Sequence, residues 1–232
     1  MEFNKTLIKG KLVKRYKRFF TDIKVNKEIV TAHCPNTGSM KGLIDKNNEV
    51  WISKNDDPKR KLKYTLEIIK VKNNLVGVNT HFANKIAYHG LFNNLILELK
   101  NNESIKPEVF YNKETRFDFL INRNKQKIFV EVKNVTLFRE RITAEFPDAI
   151  TSRGSKHLKA LIDATKKGYK SYLLFLVQIE KMKYFKIAKD IDKEYYNNYL
   201  LAKKAGVKFL AYGCKINKKE IKIKKKIKII ND

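Results

Sequence analysis

Between Thr115 and Lys133 the chain alternates with period two in two arms, joined by Asn122-Arg123-Asn124-Lys125-Gln126-Lys127. Successive strand side chains point to opposite faces, so this pattern predicts a β-hairpin. Phe117, Phe119, Ile121, Ile128, Val130 and Val132 fall on one face, and Arg116, Asp118, Leu120, Phe129, Glu131 and Lys133 on the other. A turn centred between Asn124 and Lys125 sets Asp118 opposite Glu131. Opposed side chains lie about 4.5–5.5 Å apart at Cβ, where like charges destabilise. The simplest compensation is a bound divalent cation with oxygen ligands, Mg²⁺ or Mn²⁺. The plain alternative is a salt-bridged exposed face, common in antiparallel hairpins.

The spacing Asp-x12-Glu-x-Lys resembles the PD-(D/E)xK nuclease core. That resemblance implies Asp118 and Glu131 as metal ligands and Lys133 as the residue that orients or activates the attacking water. The chemistry is coherent, since a cation lowers the pKa of water and stabilises charge on a phosphodiester. Such a core often adds an acid from its first helix, for which Glu98 is the best placed candidate, ahead of Glu103 and Glu108. A solvated helix face is the competing role for Glu98.

Lysine and arginine number 51 against 24 acidic residues, a net charge of +27. This excess points to a polyanionic partner, DNA before a membrane surface. Part of it reflects a composition rich in lysine, isoleucine and asparagine and poor in arginine. The 43% hydrophobic content supports a real core. Cys34 and Cys214 form neither a disulfide framework nor a zinc site, which suggests a reduced, cytoplasmic protein. No signal peptide and no run of about 20 apolar residues is evident. The four histidines lack metal-ligand spacing.

Six short strands with turn signals between them are expected up to residue 80, suggesting a small barrel of the OB type. Helical spacing begins at Asn84 and is expected to run to Lys100. A strand at 108–112, the hairpin, a helix at 155–167, a strongly apolar strand at 171–180, a helix at 192–205 and late strands follow. The expected domains are 1–82, an OB-fold-like DNA-binding unit, and 83–232, an α/β unit of the nuclease-like type.

Several stretches together resemble the sugar fermentation stimulation protein (SfsA) family. They include Ala32-His33-Cys34-Pro35-Asn36-Thr37-Gly38-Ser39-Met40, Glu131-Val132-Lys133-Asn134-Val135-Thr136-Leu137 and the run from Phe146 through Asp148, Thr151, Arg153 and Lys156 to His157-Leu158. The resemblance spans about residues 10–214. It implies the OB plus PD-(D/E)xK-like architecture, largely non-specific DNA binding, and a regulatory role in sugar (maltose) metabolism. Cys34 and the lysine-rich tail depart from the family pattern.

Candidate DNA contacts divide between the two units. In the barrel, Arg15, Arg18 and Phe19 mix cations with an aromatic for phosphate tracking and stacking, and His33 and Asn36 sit at a tight polar loop. In the second unit, Arg116, Arg153, Lys156 and His157 surround the hairpin and a helix start. A structural turn at Asn36 and helix capping at Thr151 or Ser155 are the competing roles. Two functions stay open, a DNA-binding module and a metal-dependent DNA phosphodiesterase. The oligomeric state is open as well, a homodimer included.

Overall fold

The computed structural model describes residues 1–230, so the last two residues of the expected C-terminal unit lie outside it. Strands β1 (Ile8–Tyr16), β2 (Phe20–Val25), β3 (Glu28–His33), β4 (Glu49–Lys54), β5 (Tyr64–Val71) and β6 (Asn74–Gly77) form the first unit. β1 pairs antiparallel with β2 and β4, β2 with β3, and β4 with β5. The parallel pairing of Ala32 and His33 with Tyr64 and Thr65 then closes a five-stranded barrel of the OB type. Closure removes exposed sheet edges. Leu12, Ile23, Ala32, Val50, Ile52 and Leu66 fill its interior.

The second unit comprises α1 (Ala83–Phe92), β7 (Ser104–Phe110), β8 (Arg116–Arg123), β9 (Gln126–Val135), β10 (Thr143–Phe146), α2 (Ser152–Lys166), β11 (Lys170–Val177), β12 (Tyr184–Ile187), α3 (Lys193–Lys204), β13 (Lys208–Ile216), β14 (Ile221–Lys226) and β15 (Lys228–Ile229). The main sheet runs β14-β13-β11-β9-β8-β7, with β9, β11 and β13 parallel. β10, β12 and β15 make a small second sheet. The parallel strands are buried on both faces, as the continuous run Leu173-Leu174-Phe175-Leu176-Val177 requires. Ile86, Ala87 and Leu91 of α1 pack against one face with Phe119, Val130, Leu174 and Tyr212. Leu158 and Leu161 of α2 and Tyr195 and Tyr199 of α3 cover the other, around Phe129 and Phe175. Among the described residues, no helix is long and apolar enough to cross a membrane.

The two units are joined by backbone bonds, from Gly77 N–H to the Gln178 carbonyl and from Glu180 N–H to the Leu75 carbonyl, each 3.0 Å. The Asp148 side chain accepts from Met40 N–H (3.3 Å), and its carbonyl accepts from the Ser39 hydroxyl (2.7 Å). A Cβ on Gly38 would lie 2.2 Å from Asp148 Oδ2, so only glycine admits this approach. Asp148 therefore joins the two units.

Three expectations need correction. The first helix stops at Phe92, because Asn93-Asn94 turn the chain, with Asn94 left-handed at φ 56°. Leu95, Ile96 and Leu99 keep helical spacing beyond it and mimic a longer helix. Phe117 does not share the face of Phe119; its ring lies 5.1 Å from Phe129 in the cluster under α2. The alternation breaks at Asp118, where β8 parts from β9. The strands β10 and β12 had no counterpart in the sequence reading, since each has only four residues.

Candidate metal and nucleic-acid site

The hairpin turn is Asn124-Lys125, both residues left-handed (φ 49° and 61°), the geometry of a two-residue turn matched to strand twist. Pairing runs from Arg123 with Gln126 to Phe119 with Val130, the expected register, and stops short of Asp118. Beyond Val130, β9 continues in parallel pairing with β11. Asp118 thus sits where the two strands diverge. Its Oδ2 accepts from the Val132 N–H (2.7 Å) and its Oδ1 from Asn84 Nδ2 (2.7 Å), at the start of α1.

Glu131 points into the opening beside α2 and is 2% exposed. Its Oε1 accepts from Lys133 Nζ (2.7 Å) and is in close contact with His157 Nδ1. Lys133 Nζ is also 3.2 Å from that ring nitrogen. Glu131 Oε2 is buried with no hydrogen-bond partner among the described residues, as is the Tyr195 hydroxyl. An orphaned, buried carboxylate oxygen needs an explanation.

The electrostatics separate the two acids. Burial first, then the negative charge of Glu131, pushes the Asp118 carboxyl up to about 6. Burial also pushes Glu131 upward, but Lys133 and then His157 outweigh it and hold that carboxyl below the usual range. Burial drives the Tyr195 hydroxyl well up, and the charge on Glu131 adds to it. A carboxylate whose native pKa exceeds its unfolded value of 3.8 binds more protons folded than unfolded. In chelator, stability should therefore fall as pH rises from about 4 to about 6. Urea denaturation across that window checks this, and Asp118→Asn should flatten the slope.

Among the described residues, no three His, Cys, Asp or Glu side chains are grouped as a complete metal cage. Two carboxylates nevertheless suit a hard divalent cation, which keeps several waters of its own. The partnerless Glu131 oxygen and the repulsion raising Asp118 are the features a cation relieves, so the residues present fit one.

The other candidates are spread more widely. Glu98 lies in a short 3-10 turn after α1, accepts from the Tyr212 hydroxyl (2.7 Å) and is ion-paired with Lys226. The early end of α1 thus excludes it from the Asp118 group. Glu108 instead touches Asn84 (3.2 Å) and pairs with Arg116 (2.9 Å). Arg153 and Lys156 are exposed on the first turns of α2, whose N-cap is Thr151, while His157 turns inward to Glu131. In the barrel, Arg15 donates to the Asn36 and Gly38 carbonyls (2.8 and 3.1 Å) and braces that loop. Asn36 is buried, donating to the Val78 carbonyl and accepting from Gly38 N–H. Arg18 and Phe19 are exposed, with the Phe19 ring 6.4 Å from His33.

A groove of about 250 Å³ between the units is lined by Thr37, Gly38, Asn134, Thr136 and Thr151. Asn134 follows Lys133 on β9 and accepts from Gln178 Nε2 (2.6 Å). Sequence reasoning missed Asn84 and Tyr195. Neither carries a motif signal, because each joins the site only through the folding of a distant helix.

A family model described as the sugar fermentation stimulation protein RE domain matches residues 81–220, and one described as the SfsA N-terminal OB domain matches residues 13–78. A sugar fermentation stimulation protein homolog of Pelagibacter ubique is 81% identical over 231 residues, covering all of both chains. One from Pseudoalteromonas atlantica is 44% identical over 234 residues, covering 99% of this chain and 100% of its own. Among solved structures, SfsA of Pyrococcus furiosus in complex with Ca²⁺ superposes with a TM-score of 0.88 at 24% identity, covering 100% of this chain and 98% of that one. At that identity the likeness shows the shared fold.

Proposed function

The chain belongs to the sugar fermentation stimulation protein family, and on that footing we propose that it binds DNA and hydrolyses phosphodiester bonds with a divalent cation held by Asp118 and Glu131. The observation that carries this reading is the buried Glu131 carboxylate, with one oxygen partnerless, facing an acid raised to about 6. Paired titratable groups pushed apart in pKa within a cleft mark a functional site. The Ca²⁺ in the Pyrococcus furiosus relative supports a divalent cation, and Mg²⁺ or Mn²⁺ is the ion proposed here. When bound, the cation supplies Lewis acidity toward a phosphoryl oxygen.

The remaining chemistry belongs to the chain. Lys133, anchored on Glu131, presents its other N–H donors to the attacking water or a phosphate oxygen. His157 shares the Glu131 oxygen and offers a second proton-handling group at Nδ1. Asn84 fixes the Asp118 carboxylate from α1. Exposed Arg153 and Lys156 grip the backbone of a strand passing along the groove, and Arg18 and Phe19 extend the contact onto the barrel. Phosphate contacts carry no sequence information, so binding is largely non-specific. DNA as partner places the protein in the cytoplasm, and any regulation of sugar metabolism acts through that binding.

Arg153→Ala should weaken DNA binding equally on all sequences and reduce the slope of log affinity against log salt by about one. Fluorescence anisotropy over a salt series reads this, and an unchanged slope removes Arg153 from the interface. The function itself is tested by incubating protein with plasmid, linear and single-stranded DNA in Mg²⁺, Mn²⁺ or EDTA. Metal-dependent cleavage, lost in Lys133→Ala, is expected.

A second reading, a nuclease scaffold serving as a DNA-binding module, is favoured by one observation. The side chain that reaches Asp118 from the first helix is the neutral Asn84, and Glu98 lies elsewhere. Tight, salt-sensitive binding with no cleavage in any metal selects this reading.

A further inference from the structure

A cavity of about 640 Å³ opens away from the hairpin, where the N-terminal residues 1–5, the barrel wall and the turn at Thr80–Phe82 meet. On its floor is Glu67 of β5, 3% exposed. Its Oε1 accepts from the Ser53 hydroxyl (2.7 Å) and its Oε2 from Asn79 Nδ2 (2.8 Å), both neutral donors. Among the described residues no cation is ion-paired with it, and burial holds its carboxyl above the usual range. Above it stand His33, Arg60 and His81. Arg60 is half-buried, and among the described residues its guanidinium makes no hydrogen bond or ion pair. Burial first, then the charges of His81 and Arg60, hold the His33 imidazole down, so these groups crowd one another. Phe82 forms a wall, with Lys85 Nζ 5.9 Å from its ring centroid.

Two needs of opposite sign meet here. The Arg60 guanidinium has no hydrogen-bond acceptor among the described residues although its charge reaches Glu67, and a buried carboxylate hydrogen-bonded only by neutral groups is costly. One ligand meets both if it carries an anionic group for the cations and donors for the spare lone pairs of Glu67. The volume lies within the range of small-molecule sites.

We propose that this cavity binds a phosphate ester with free hydroxyls, its phosphate at Arg60, His33 and His81 and a hydroxyl donating to Glu67. The site shares no side chain with the Asp118 group and does not depend on the function proposed for it. A nucleotide and a sugar phosphate share this chemistry. Isothermal titration in chelator separates them, with inorganic phosphate, ribose 5-phosphate and adenosine 5′-monophosphate added to wild type, Arg60→Ala, Glu67→Gln and Lys133→Ala. Both esters should bind at least about tenfold more tightly than inorganic phosphate. Arg60→Ala should weaken all three by about tenfold or more. Glu67→Gln should weaken the esters alone, and Lys133→Ala protein that circular dichroism shows to be folded should bind all three as the wild type does. Equal affinity for the two esters identifies sugar-phosphate recognition, and tighter adenosine monophosphate identifies base contact with Phe82. Esters that do not bind at millimolar concentration, an Arg60→Ala protein that binds like wild type, or binding lost in folded Lys133→Ala protein would each overturn the proposal. The Arg60 variant changes only a half-buried side chain at the cavity wall, so the test survives if Glu67→Gln fails to fold.

Discussion

Asp118→Asn should cleave DNA about 10³-fold more slowly than the wild type, or not at all, while binding it at least as tightly. The carboxylate is one of two proposed for the cation, and loss of a metal's charge stabilisation is worth several kcal/mol, about 10³-fold in rate. The fold should survive. An asparagine oxygen can still accept from the Val132 N–H, and Asn84 can turn its amide toward the new NH₂ group at the cost of its long, exposed bond to Glu108. Removing the charge also ends the repulsion between Asp118 and Glu131, so stability at neutral pH should hold or rise. Affinity should not fall, because a negative charge beside the phosphate path is gone. Single-turnover cleavage in Mn²⁺ with anisotropy on the same oligonucleotide separates the two effects. Wild-type cleavage by the variant would remove Asp118 from the chemistry.

The second large effect is on stability. Lys133→Met should destabilise the protein by about 3 kcal/mol, the lower end of the range for breaking a buried ion pair. The side chain of Glu131 is 3% exposed and that of Lys133 is 12% exposed. The variant strands Glu131 with the His157 ring as its remaining close side-chain partner. Glu131→Gln combined with Lys133→Met removes both charges and should recover most of the loss. Urea denaturation of the two single variants and the double variant at pH 8 measures this. A Lys133→Met loss below about 1 kcal/mol would mean that the pair is effectively solvated.

The legible parts of this chain are those in which one local rule acts alone. Asn124-Lys125 fixed the hairpin register as far as Phe119 and Val130, because turn chemistry and alternation agree there. The barrel strands were legible for the same reason, each bounded by its own turn signal. Asp118 shows where local rules stop. Its position depends on the β8 pairing ending at Phe119 while β9 runs on against β11, a contact made by residues some 40 positions away. Glu98 was misplaced by Leu95, Ile96 and Leu99, whose spacing suits a continued helix, whereas the turn that forms buries Ile96 and Leu99 and leaves Leu95 exposed. Asn36 and Arg15 have the composition of a nucleic-acid loop, yet their polar groups are spent on neighbouring backbone. Asn84 and Tyr195 reach the acids from two different helices, a convergence that no period or spacing encodes.

The central claim is that Asp118 and Glu131 together hold a divalent cation. Calorimetric titration of Mn²⁺ into the wild type and into Glu131→Gln, each checked for folding by circular dichroism, tests it most directly. The expected result is one Mn²⁺ per wild-type chain, with that site lost in the folded variant. The same stoichiometry and affinity in both proteins would contradict the claim and leave the acids as structural partners of Lys133 and His157.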